Sequence, residues 1–381
     1  VAAKIVARDR PGDRASAVRS AIARRRGARQ RGLVVRPGGR LQWREVAAPP
    51  PPGPDGATVH PIAMATCDMD RPIMLGRTPF PLPLHLGHEC VALVTEVGER
   101  VRSVRPGDRV VVPFQVNCGS CPACQRGYTG SCTGVPALSM YGFGMAGGLW
   151  GGAIADLVGV PYADAMLVAL PDAVDAIAAA SLGDNISDAH RHIAPHIGRL
   201  LAEDSSARVL ILASLHERQA FTASMPLLTG LVALALGAGS VGLVDARPHV
   251  RELAARLGME PIEPAELPGT GPAPLVVDVT GDPAGLERAL ASTAPDGICS
   301  SAGGLHASGR LPLLRSYIRN VTLHIGRTHA RAEMPKALAL MSSGRLAPEA
   351  VVSQVAAIDD APRALHAHLR EGAVKTVLTS S

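Results

Sequence analysis

Hydrophobic and polar positions along this 381-residue chain follow two different periods. Between residues 32 and about 170, short apolar runs are cut by turn residues at close intervals. Residues 32–35, 41–46, 57–63, 90–97 and 109–114 therefore read as strands of an all-β body. The proline run at 49–54 reads as a linker or turn. Beyond Pro171 the period lengthens. Residues 173–182 and 187–201 read as helices, and 208–213 is a continuous apolar run suited to a buried parallel strand. A helix at 220–236, a strand at 241–245, a helix at 248–257, a strand at 274–278 and a helix at 284–291 continue the alternation. Strands alternating with helices predict right-handed βαβ units and a doubly wound parallel sheet, an α/β fold class. The last segment reads as helix (334–343), strand (351–355), helix (361–370) and strand (376–378), and could return to the first half.

Composition narrows this picture only in places. Hydrophobic residues make up 47% and charged residues 19%, enough for a core and too little charge for a disordered chain. The formal net charge of +5 is uneven. Residues 1–31 carry ten basic and two acidic side chains, a local +8, and the remainder carries −3. Residues 1–31 are thus expected to be a basic, disordered extension, and basicity says nothing about the body. Aromatics at 3% argue against a base-stacking surface, so no nucleic-acid partner is expected. Residues 223–244 are apolar but hold one proline and four glycines, so they predict a buried helix and strand rather than a membrane span. The first residues show no apolar h-region, so a cytoplasmic protein without a membrane partner is expected.

The seven cysteines carry the chemistry. Cys118, Cys121, Cys124 and Cys132 form C-x2-C-x2-C-x7-C. Four thiolates in so short a loop can close around one tetrahedral Zn²⁺ and leave no position for water or substrate. A structural zinc is expected there. An odd cysteine count favours a reducing compartment. Cys67 lies in Ala65-Thr66-Cys67-Asp68-Met69-Asp70, and Gly87-His88-Glu89 follows. Cys and His suit zinc, and Glu89 is placed to serve beside them as an alternative ligand or an outer partner.

These features in this order resemble the zinc-containing alcohol dehydrogenases of the medium-chain dehydrogenase/reductase family. The resemblance rests on Cys67 with Asp70, Gly87-His88-Glu89 with Gly98 and Val101 downstream, the turn Pro106-Gly107-Asp108-Arg109-Val110, the cysteine lobe and the βαβ half. It covers residues 32–381. It implies a GroES-like β domain at 32–183, a Rossmann domain at 184–320, and a return to the first domain at 321–381. It implies two zincs per chain, an alcohol or carbonyl substrate, NAD with NADP possible, and a dimer or tetramer. Most zinc members place a cysteine as third ligand of the second zinc. This chain has Asp184 there, similar to the glutathione-independent formaldehyde dehydrogenases, and the competing reading of Asp184 is a helix cap. A Cys67/His88/Asp184 site with an open position would act as a Lewis acid in hydride transfer, with Asp70 hydrogen-bonded to a ligand. Two departures stand out. Met69 replaces the Ser or Thr that passes a proton, and Pro72 replaces a histidine.

The cofactor signals are weaker. Gly237-Ala238-Gly239-Ser240-Val241-Gly242 matches G-x-G-x-x-G literally, but it precedes a strand, so it reads as a helix C-cap and a turn. The first βα turn should follow residue 212, where no glycine stands. Ser214 and Arg218 could meet phosphate there, or the site could be degenerate. Asp245 ends the second strand and would favour NAD, with Arg247 leaving room for NADP. Gly281, in Val279-Thr280-Gly281, and Lys375 resemble residues near the cofactor. Tyr141, Phe143 and Trp150 are candidates for the substrate pocket or for packing. The rival reading is a non-catalytic or cofactor-impaired relative that keeps the structural zinc.

Overall fold

A computed structural model describes residues 29–302, 309, 311–370 and 372–380. The expected basic extension lies outside them except for its last three residues, which form strand. The first half is mainly β, as the alternation predicts, with short helical turns such as Asp70–Met74 and Pro122–Gln125 in its connections. Its strands are β1 (Arg29–Arg36), β2 (Arg40–Ala47), β3 (Ala57–Ala65), β4 (Leu84–His85), β5 (Glu89–Val97), β6 (Arg109–Val112), β7 (Val158–Val160) and β8 (Val168–Ala169). The second half adds β9 (Arg208–Ser214), β10 (Ser240–Asp245), β11 (Glu260–Ile262), β12 (Ala273–Asp278), β13 (Thr293–Ser301) and β14 (Thr322–Ile325). The chain ends with β15 (Gln354–Ala357) and β16 (Thr376–Thr379).

Six of these form one parallel sheet in the order β11-β10-β9-β12-β13-β14. Helices Ser224–Ala235, Pro248–Arg256 and Pro283–Ser292 connect them. The order turns at β9/β12, the place where a doubly wound sheet opens a crevice at its carboxyl ends. Val209, Leu210, Ile211 and Leu212 of β9 are fully buried, because helices or neighbouring layers cover both faces. The β half holds a small antiparallel sheet, β2-β1-β4, and a larger sheet in the order β15-β16-β3-β5-β6-β8. β16 pairs antiparallel with β3, so the end of the chain is built into the sheet of the first half. β14 pairs in parallel with β13. The chain therefore leaves the parallel sheet after Ile325, not at residue 321 as expected.

Gly237 takes φ +94° after the helix Ser224–Ala235, and β10 follows. The glycine string is a C-cap and turn, as its place before the strand predicts. No helix of the described residues is long and apolar enough to cross a membrane. Helix Asn185–Glu203 begins at the junction of the two halves, and helix Ala330–Ser342 packs against it.

Candidate active site and its two cysteine clusters

Antiparallel pairing of β3 with β5 puts Ala65 opposite Glu89. Cys67, just past the end of β3, and His88, just before the start of β5, consequently meet at one sheet end. Two glycines make the approach possible. Gly87 has φ +97°, and a Cβ there would lie 2.7 Å from the Ile154 backbone N. A Cβ on Gly183 would lie 2.3 Å from the Val112 carbonyl oxygen. With no side chain there, Phe114 N–H donates to Gly183 O at 3.1 Å and the next residue, Asp184, is carried over the same sheet end. Cys67 Sγ, a His88 ring nitrogen and an Asp184 carboxylate oxygen all lie within 4.8 Å of one another. Asp184 precedes the helix Asn185–Glu203 but makes no side-chain cap hydrogen bond. Its Oδ2 stands 3.3 Å from His88 Nε2 instead.

The surroundings of this cluster are negative. Asp70 accepts the Cys67 backbone N–H at 2.8 Å through Oδ2, and its Oδ1 lies 3.9 Å from His88 Nδ1. Burial pushes the Cys67 thiol well up, and Asp184, Glu89 and Asp70 add to the push. Burial opposes charge on His88, but Asp70, Asp184 and Glu89 outweigh it and raise the ring to about 9. A buried thiol, an imidazole and carboxylates that repel one another are a donor set a dication would relieve. Both His88 nitrogens are buried without a hydrogen-bond partner among the described residues. The residues fit zinc on these grounds.

Glu89 takes the outer of its two expected places, and Lys375 lies elsewhere than expected. Glu89 is not among the converging ligand atoms. Its Oε1 accepts Asn185 N–H at 3.0 Å, and its Oε2 accepts the Ser181 hydroxyl at 2.8 Å and Lys375 Nζ at 2.9 Å. Lys375 is 1% exposed, and its three protons go to Glu89 Oε2, Asn185 Oδ1 and Thr66 O. It cannot meet a cofactor phosphate, because a fully buried ammonium must spend every donor on nearby acceptors. Lys375 and Glu89 form a buried pair behind the ligands. Asn185, which the motifs did not single out, joins this pair to the cluster: its Nδ2 donates to Cys67 Sγ and to Asp184 Oδ2, each at 3.3 Å.

A cavity of about 260 Å³ opens over Cys67 and Asp184. Met69, Phe114, Phe143 and Met225 give it apolar walls, and Asp188, Arg191 and Thr328 supply polar groups. Phe143 packs on His88 with ring centroids 4.9 Å apart. Tyr141 is buried and donates to Gly159 O at 2.9 Å, and Trp150 packs into the β core without lining this cavity. Of the three expected aromatics, Phe143 alone lines it. His190 bonds Glu333 and His192 bonds Ser300, so neither histidine faces the cavity.

Most expected cofactor residues are already engaged. Ser214 is fully buried and its hydroxyl donates to His216 O at 2.7 Å, closing a local turn. Asp245 is 0% exposed, and Arg247 grips both its oxygens at 2.9 and 2.7 Å. The reason for expecting NAD, a carboxylate free for ribose hydroxyls, is thus absent. Gly281 takes φ +64° and lines the cavity against Phe221. Arg218 and Arg247 line a second cavity, of about 290 Å³, beyond Phe221. Asp68 was also missed by motif reading. Its Oδ1 accepts Ser224 N–H at 3.0 Å and the Thr222 hydroxyl at 2.6 Å, and its Oδ2 accepts Met225 N–H at 3.0 Å. An internal carboxylate thereby caps the first helix of the parallel half.

The cysteine lobe is a separate construction. All seven cysteines are free thiols. Sγ of Cys132 lies 3.5 Å from that of Cys118 and 3.9 Å from that of Cys121. A tetrahedral zinc with Zn–S of about 2.3 Å needs sulfur separations near ~3.8 Å, so the loop fits the ion. Backbone N–H groups point at the sulfurs, as from Thr133 to Cys121 at 3.4 Å. The Cys124 N–H foremost, with Thr133, holds Cys121 down to about 5.

Residues 53–172 match the alcohol dehydrogenase GroES-like domain. The chain is 30% identical over 345 residues to the probable zinc-binding alcohol dehydrogenase of Mycobacterium tuberculosis, covering 87% of this chain and 84% of that protein. It is 37% identical over 151 residues to the glutathione-independent formaldehyde dehydrogenase of Pseudomonas aeruginosa, 37% of this chain and 38% of that one. Among solved structures, alcohol dehydrogenase TADH from Thermus sp. ATN1 superposes with a TM-score of 0.80 at 30% identity, covering 92% of this chain and 100% of that one.

Proposed function

We propose, for a chain that belongs to the zinc-binding alcohol dehydrogenases, that the cleft over Cys67 and Asp184 interconverts an alcohol with its aldehyde or ketone at the expense of a nicotinamide dinucleotide. The observation that carries this reading is the convergence of Cys67, His88 and Asp184 at the floor of an apolar cavity. Three protein donors are one short of a tetrahedral set, the arrangement of a site that also takes substrate. Zinc held there supplies Lewis-acid polarisation of the substrate oxygen, and the dinucleotide supplies or accepts the hydride. The cysteine lobe would hold a second zinc, since its four thiolates complete a tetrahedral set and leave no position for substrate.

The chain's own residues do the rest. Asp70 and Asn185 orient Cys67, and Asn185 also holds Asp184. The Glu89–Lys375 pair behind them keeps Asn185 in place. Phe114, Phe143, Met69 and Met225 exclude water and select an apolar carbon next to the reacting one. Met69 holds no exchangeable proton, so proton passage falls to other groups of the cleft wall. Thr328 lines the cleft, is 3% exposed, and its hydroxyl has no hydrogen-bond partner among the described residues. An apolar strip on the helix Leu313–Ile318, where Leu314 is 73% and Tyr317 80% exposed, supports association into a homo-oligomer.

Metal analysis of wild type and Asp184→Ala, run with a screen of alcohols and aldehydes, tests the reading. Two zincs in wild type, one in the variant, and turnover only in wild type are expected. Two zincs and full turnover in the variant would remove Asp184 from the site.

A further inference from the structure

Resting on the nicotinamide reading above, we propose that the arginine-lined cavity beside Asp245 is a phosphate site that makes this chain select a 2′-phosphorylated dinucleotide, NADP(H), over NAD(H). The cavity is lined by Arg71, Arg77, Arg218, Arg247 and Arg370, with Glu217 the one acid among its described lining residues. Arg77, Arg218 and Arg370 are exposed and have no carboxylate partner among the described residues. Arg71 is committed to backbone carbonyls and Arg247 to Asp245, so the three exposed guanidinium groups are the ones whose paired donors can match phosphate oxygens, and together they hold a dianion that a single cation would not.

One further observation points to a 2′-phosphate, and a second to the arginines rather than the first turn as the partner of phosphate. A carboxylate at the end of the second parallel strand ordinarily takes ribose hydroxyls and repels a 2′-phosphate. Here Asp245 is neutralised by Arg247 on both oxygens, and that same Arg247 lines the cavity. The first turn offers the phosphates nothing in exchange. Residues 214–223 contain no glycine, and the helix start beyond them already holds the Asp68 carboxylate on the N–H groups of Ser224 and Met225. A second anion at that helix end would face a like charge. Phosphate therefore has to be neutralised on the arginine side.

Position agrees with chemistry. The cavity residues that follow β9 (217–222) and β10 (247 and 249) stand at the carboxyl ends of the parallel strands, and the reaction cavity opens at the ends of β12 and β13. Phe221 is a wall of both cavities. One extended ligand with a ring at one end and phosphate at the other can therefore lie across Phe221 and fill both.

Equilibrium binding to the full zinc-loaded chain tests this, read by ligand fluorescence and by calorimetry. NADPH is expected to bind at least about tenfold tighter than NADH. Adenosine 2′,5′-bisphosphate should displace NADPH at concentrations where 5′-AMP and inorganic phosphate do not. Replacing two of the three exposed arginines, Arg77→Gln with Arg218→Gln, should cut the NADPH-to-NADH affinity ratio by about tenfold or more while leaving the melting temperature unchanged. NADH binding as tightly as NADPH would overturn the selection and leave the oxidoreductase reading standing. Displacement by inorganic phosphate as effective as by the bisphosphate would reduce the cavity to a general anion site and overturn it too. If neither dinucleotide binds, both this inference and the nicotinamide reading fall.

Discussion

The cysteine lobe and the Cys67/His88/Asp184 cluster hold similar donors but are built in opposite ways. The lobe draws all four sulfurs from fifteen consecutive residues and its backbone N–H groups face them, so the ligands organise one another locally. The cluster draws three donors from just beyond β3, just before β5 and just before a helix, and surrounds them with Asp70, Asn185, Glu89 and Lys375. A closed loop can be self-sufficient because nothing has to enter. A site that leaves room for substrate lacks one donor and must be held from outside. The difference teaches that the open site costs the fold a buried charge network, and the closed one costs it a few glycines and cysteines.

That contrast can be broken in four places. The largest expected effect is Cys67→Ala, which should lower turnover by at least ~10³-fold while the lobe keeps its zinc and the melting temperature changes little. Loss of both zincs in that variant would show the sites to be one cooperative unit. Next comes Cys121→Ser. Removing one of four structural ligands should destabilise by roughly 3 kcal/mol, lowering the midpoint by about 6–12 °C in a calorimeter, with turnover per folded molecule kept. A variant that melts normally but is inactive would reverse the assigned roles.

Asp70→Asn is smaller. The neutral amide still reaches Cys67 but no longer supplies charge to His88, and zinc affinity at the cluster should fall about 10- to 100-fold while the lobe's is unmoved. Competition with a chromogenic chelator measures both. The smallest effect concerns the tie between the two regions. Gly130 N–H of the lobe donates to His329 Nδ1 at 3.1 Å, and Glu333, one turn on, bonds His190 at 2.6 Å on the helix that follows Asp184. Burial would raise the Glu333 carboxyl, but His190 and Lys336 hold it below its ordinary value of about 4.5. A depressed folded value means the stabilisation is present above pH ~4.5 and is lost as pH falls through the folded value. Glu333→Gln should therefore cost less than about 1 kcal/mol at neutral pH, and its melting curve should converge with wild type in acid.

Legibility in the sequence followed the same division. The lobe could be read from spacing alone because its ligands are neighbours in the chain. Strands β9, β10 and β12 were visible as apolar runs because both of their faces are buried. β13 and β14 were not. Thr293–Ser301 contains Pro295, Asp296 and Gly297, and Thr322–Ile325 is a half-exposed edge strand, so neither carries a hydrophobic run. Cys67, His88 and Asp184 were identified as candidates by resemblance, and the structure brings their donor atoms together. Asn185 and Asp68 carried no signal, since an Asn or Asp beside a motif is common and its partner lies more than a hundred residues away.

The sequence by itself determined the two halves and the cysteine lobe, because these depend on local period and local spacing, whereas Asp184 joined Cys67 and His88 as a candidate ligand only through the resemblance. Only the tertiary structure decided which charges are spent. Lys375 went to Glu89, Asp245 to Arg247 and Asp68 to a helix start, each with a residue whose meaning as a partner depends on where strands and loops meet. A charged side chain is free for a ligand only if no nearer countercharge takes it, and nearness in space is a property of the folded chain.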